Sequence, residues 1–114
     1  MPSGRYSASG VVANGYIYVI GGSDGGSVTN TVYYAKVSAD GSVGTWQSAT
    51  NLPVNKDRHD SVLINGYIYV LGGTPDDSAA NASASVYYAK VNSDGTLGSW
   101  TTSGNSMPSA KIEG

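Results

Sequence analysis

Cysteine is absent from the 114 residues, which excludes disulfides, thiolate metal sites and cysteine nucleophiles. That lack fits a reducing compartment without ruling out a secreted chain. Histidine occurs once, at position 59, so one subunit holds no multi-histidine metal site. Charge is scarce: charged residues make up 12%, with six basic against eight acidic and a net charge of −2. No basic footprint for DNA or RNA exists. No apolar run approaches the roughly 20 residues that cross a bilayer, and the start lacks the basic-then-apolar layout of a signal peptide. The chain reads as soluble, with its compartment undetermined. Helix signals are nearly missing; one candidate, 78–84, is Ala-rich but carries Asn81 and Ser83 and is too short to stand alone.

What is present is a repeat. Asn-Gly-Tyr-Ile-Tyr-Val-x-Gly-Gly begins at Asn14 and again at Asn65, an offset of 51. Asn-Gly is the pair best able to take the positive φ angles of a two-residue hairpin turn. Tyr-Ile-Tyr-Val, aromatic and β-branched, then predicts a strand, and Gly-Gly permits close backbone approach. The run Val-Tyr-Tyr-Ala-Lys-Val recurs at 32–37 and 86–91, and Trp46 corresponds to Trp100. The offset has grown to 54, so three extra residues lie between Gly73 and Val86, where insertion costs least.

Each unit reads as a four-strand meander. In the first, 7–13 and 16–20 form a hairpin, 31–37 a third strand, and 42–47, after the Asp40-Gly41 turn, a fourth that contains Trp46. The units span 1–51 and 52–106. An overhang, 107–114, repeats the blade-start register, since Met107-Pro108-Ser109-Ala110-Lys111 echoes Met1-Pro2-Ser3-Gly4-Arg5. Its last three residues, Ile112-Glu113-Gly114, are either a natural end or an appended linker.

Taken together, Pro-x-x-(Arg/Lys), the small-residue strand, the Asn-Gly hairpin closed by Gly-Gly, Val-Tyr-Tyr and Trp resemble the kelch repeat, twice over. The family often places Arg three and His six residues after the Pro; here those places hold Arg5 and Ala8, then Lys56 and His59. The resemblance implies an all-β protein of two four-stranded antiparallel propeller blades, with strand 1 at the channel and strand 4 at the rim. It also implies a module that binds proteins, although a minority of the family are enzymes. Asp40 to Trp46 and Asp94 to Trp100 approach the Asp box of sialidases, but each is one residue too long.

Two blades do not close a ring, since propellers use four to eight, and bare blade faces invite association. The expectation is a homo-oligomer completed by further copies, six-bladed as a homotrimer because the resemblance favours six. Two alternatives stand beside it: a glycan-processing enzyme, sialidase- or epimerase-like, with its site on the channel axis, and a fragment, excised or designed, of a longer propeller. No catalytic residue, metal or cofactor is assigned, and the partners expected are other copies and a protein or glycan.

Counting strands puts the 2–3 loops and the 4–1 connection on one face, where a ligand site belongs. The candidates there are Lys56, Asp57, Arg58, His59 and Asp60, with Arg5, Asp24, Asp76 and Asp77. Proton exchange at Asp57, His59 and Asp60 is one reading; structural bonding between blades by Lys56 and His59 is the other. Alternation along strand 1 predicts that Arg58 and Asp60 project together. The Tyr-x-Tyr pairs put both rings on one sheet face, toward the next blade.

Overall fold

The computed structural model describes residues 4–5, 8–76 and 81–109. Asp77, residues 78–80 of the candidate helix and 110–114 of the overhang lie outside them. Residues 81–84 are not α-helical; Asn81 sits in a single 3₁₀ turn.

Two four-stranded antiparallel sheets form, each a meander in chain order. The first comprises β1 (Ser9–Ala13), β2 (Tyr16–Ile20), β3 (Val32–Lys36) and β4 (Gln47–Ser48); the second comprises β5 (Asp60–Ile64), β6 (Tyr67–Leu71), β7 (Val86–Lys90) and β8 (Thr101–Thr102). The Asn-Gly turns take the expected left-handed angles, φ 53° and 79° at Asn14 and Gly15, 52° and 81° at Asn65 and Gly66. Both residues of such a turn need positive φ, which Asn and Gly tolerate best.

The fourth strand departs from expectation. It is Gln47–Ser48 rather than 42–47, and Trp46 lies before it. Val37 bridges Val43, but the ladder resumes as Tyr34 with Gln47 and Tyr33 with Ser48, one residue out of step. An extra residue on the outer strand is a β-bulge; the Gly44 amide still bonds the Lys36 carbonyl at 2.8 Å, while Thr45 and Trp46 fall outside the pairing. The second blade repeats the slip between the Val91–Leu97 bridge and the Tyr88–Thr101 pair.

Each sheet has two faces, here called front and back. Register places Val11, Tyr18 and Tyr34 on the front of the first blade and Val12, Ile17 and Tyr33 on its back. Among the described residues one core lies between the front of the first blade (Val11, Tyr18, Ile20, Val32, Tyr34) and the back of the second (Ile68, Val70), closed by Leu52, Val91 and Leu97. Fully burying an Ile- or Val-sized side chain contributes about 1.5–3 kcal/mol, so this joint dominates the stability. The other two faces are open: Val12 is 63% exposed on the first blade's back, and Ile64 52% on the second blade's front.

Candidate functional site

The face expected to carry a site does gather the loops. A cleft of ≈ 400 Å³ is lined by Ser23 to Val28 of the first 2–3 loop except Asp24, by Asn55 of the 4–1 connection, and by Pro75 and Asp76 of the second 2–3 loop. Beside it, a smaller one of ≈ 310 Å³ runs over Val54, Lys56 and Tyr87. The loops hold themselves in shape. The Asp24 carboxylate accepts amides from Gly26 and Ser27 at 2.9 Å, and these bonds hold its pKa below the usual value. Asp76 accepts from the Thr74 hydroxyl and the Asn81 amide.

The 56–60 segment divides sharply. Lys56, Asp57 and His59 are buried, Arg58 is half-buried and Asp60 is exposed. Backbone bonds explain the burial. The Lys56 carbonyl accepts the Gly22 amide of the first blade at 2.7 Å, while Asp57 and Thr74 of the second exchange both bonds at 3.0 Å. The segment is thus stitched to both blades. Both Gly-Gly pairs make room for it: a Cβ on Gly21 would lie 2.5 Å from the Lys56 oxygen, and one on Gly73 would lie 2.7 Å from the Asp57 oxygen. No residue with a side chain fits either place.

His59 sits between these glycines with Nε2 2.7 Å from the Ser9 hydroxyl. Burial pushes its pKa down from 6.5 to about 4; the Lys56 charge adds to this, while the Ile20 and Asp57 backbone and the Asp60 charge oppose it. The imidazole is neutral near pH 7. Lys56 has its ammonium 5.6 Å from the centre of the Tyr87 ring, and burial lowers its pKa also. Arg5 likewise lies over a tyrosine in the first blade, 5.1 Å from the centre of the Tyr33 ring and bonded to the Thr31 hydroxyl. The spacing of Arg5 and Lys56 foretold this equivalence; the cation on a tyrosine face is visible only once β3 and β7 are in place.

Arg58 corrects the alternation argument. Its φ is 53°, and β5 starts only at Asp60, so the side chains of Arg58 and Asp60 are not related by strand pleating. A left-handed non-glycine residue just before a strand carries no clear sequence signal. The candidates therefore do not converge: Arg5 stays on the first blade, Lys56, Asp57 and His59 lie inside the joint, Asp24 and Asp76 brace their own loops, and Asp77 lies outside the described residues. Among the described residues no three His, Asp or Glu side chains come together as a metal site would require.

Four-stranded antiparallel meanders, packed front to back with a bulge leading into the fourth strand, are blades of a β-propeller. The family model described as the Kelch motif matches residues 4–34. An F-box/kelch-repeat protein of Arabidopsis thaliana is 38% identical over 74 residues, 64% of this chain and 26% of that protein. In the solved structure of YjhT, 97% of this chain superposes on 30% of that one, with a TM-score of 0.76 and 20% identity; that likeness concerns the fold alone. The chain thus carries a Kelch motif on propeller-blade sheets, and it spans between a quarter and a third of the length of these two relatives.

Proposed function

We propose that this chain is a non-catalytic kelch module that assembles with further copies of itself, as a six-bladed homotrimer, and binds a protein or glycan on the face of its 2–3 and 4–1 loops. The observation that carries the reading is the pair of open faces: the second blade's front repeats the face the first blade buries, and the first blade's back repeats the face the second buries. Surfaces this apolar associate. Catalysis is disfavoured because the one hydroxyl-on-imidazole pair, Ser9 with His59, is a poor engine. A general base works best with a pKa near the working pH, and His59 is fully enclosed with a pKa of about 4.

Light scattering and native mass measurement on the chain test the assembly. A species of three times 11.6 kDa is expected, and a stable folded monomer at micromolar concentration would sink it. A second reading is favoured by the fraction of its relatives that the chain spans: the open faces then take blades of one longer polypeptide, and the isolated chain stays monomeric. For the loop face, a glycan array read beside a hydrolysis assay separates capture from turnover.

A further inference from the structure

The second blade's open front is equipped with a latch, and the first blade's back carries the socket for it. In the joint within the chain, Tyr18 donates its hydroxyl to the Gly95 carbonyl at 2.6 Å. The Tyr16 ring lies flat on the same glycine, so close that a Cβ there would sit 2.8 Å from the ring. Gly95 is buried beneath it, with φ 91°. Both tyrosines recur on the open front as Tyr67 and Tyr69, in the same register against Ile64 and Val62.

The socket recurs too. Gly41, the counterpart of Gly95, has φ 87°. The two turns share their bonds: Ser38 to Ser42 and Asn92 to Thr96 at 2.8 Å, then Gly41 to Ser38 at 2.9 Å and Gly95 to Asn92 at 3.0 Å. Asp40 braces one turn through Ser42 and Asp94 the other through Thr96. Yet Gly41 is exposed, with nothing within 4 Å of where its Cβ would be. Val43 beside it is 51% exposed, whereas its counterpart Leu97 is 6% exposed.

Resting on the self-assembly proposed above, we infer that a second copy of this chain docks head-to-tail, seating its Gly41 turn under Tyr67 and accepting the Tyr69 hydroxyl on the Gly41 carbonyl. The contact is heterologous, so it generates a ring where the rotation closes. It is not a perfect copy of the joint within the chain. Ser9 and His59 are replaced by Asp60 on one side and Ala8 on the other, so the joint between copies has no imidazole.

Gly41→Asn is the test. Asn tolerates positive φ and meets no neighbour within the chain, so the variant folds, while its side chain strikes Tyr67 of the copy beside it. Gly15→Asn is the control: Gly15 has φ 79° with nothing within 4 Å, and Gly66, its counterpart in the joined blade, is equally clear. By sedimentation velocity, Gly41→Asn is expected to run as a folded monomer and Gly15→Asn as the wild-type assembly. Tyr69→Phe, which removes one hydroxyl and leaves the ring, is expected to raise the dissociation constant about fivefold. A wild-type assembly that survives both Gly41→Asn and Tyr69→Phe unchanged overturns the docking mode and leaves self-assembly standing. A wild-type monomer removes both.

Discussion

Tyr18 and Tyr69 occupy one position in two copies of one blade, and their surroundings differ. Each faces a β-branched residue and a tyrosine in register, Val11 and Tyr34 for one, Val62 and Tyr88 for the other. Each lies beside its partner ring at nearly the same distance, 5.8 and 5.7 Å. But Tyr18 is fully buried, and burial, seconded by neighbouring Tyr34, raises its pKa to about 12; Tyr69 is half-buried. The ring ladder is therefore a property of the blade, and burial is a property of the neighbour. A blade's sequence prepares both faces without saying which of them is covered.

The largest effect is expected where the joint tolerates no atom. Gly73→Ala puts a Cβ against the Asp57 oxygen at φ 82°, which adds backbone strain to overpacking and costs about 5 kcal/mol. A urea melt reads it as a lower midpoint. Gly66→Ala, equally left-handed but with open space around it, carries the strain alone and costs about 1 kcal/mol.

Next comes the paired truncation that contrasts the two fronts directly. Ile20→Ala in the covered front is expected to cost about 2–5 kcal/mol, and Leu71→Ala in the open one distinctly less when both are measured as monomers. If the chain assembles, the gap narrows with concentration, because Leu71 gains the cover Ile20 already has. Equal costs in dilute monomer would break the comparison.

Acid acts on the joint within the chain. His59 has its folded pKa depressed to about 4 from 6.5, so the unfolded chain binds its proton first. Stability is full above pH 6.5 and falls between 6.5 and 4, by roughly 3 kcal/mol. His59→Gln should flatten that window in pH-dependent thermal melts, and an unchanged slope would move the acid sensitivity elsewhere. Smallest is Tyr18→Phe, about 1 kcal/mol for the bond to Gly95, with no matching loss for Tyr69→Phe in the monomer.

Much of this was legible beforehand because it is local. Asn14-Gly15 and Asn65-Gly66 mark their hairpins through backbone conformations few other residues tolerate, and Tyr-Ile-Tyr-Val fixes which residues share a face. The bulge before Gln47 was not legible, since one unpaired residue leaves no mark in composition. Nor was Arg58, whose left-handed backbone breaks the period-two argument that would have aimed it beside Asp60. The burial of Lys56, Asp57 and His59 was half legible: the kelch resemblance offered a bonding role for Lys56 and His59, but Asp57, His59 and Asp60 also read as a proton-exchanging site. What decided it was backbone pairing to both blades, which pattern alone does not reveal.

That pairing has a consequence for how the molecule breathes. Two consecutive carbonyls, of Lys56 and Asp57, take amides from opposite blades, Gly22 on one side and Thr74 on the other. A fluctuation that parts the blades must release one of those two amides to solvent, so Gly22 and Thr74 form a matched pair of reporters. In native-state hydrogen exchange, amides inside β2 and β6 report melting of a blade, and these two report separation between blades. If all four groups exchange with one free energy, the two repeats unfold as one cooperative unit. If Gly22 or Thr74 alone exchanges faster, the chain parts first at the strap, and which one is released tells which blade keeps it.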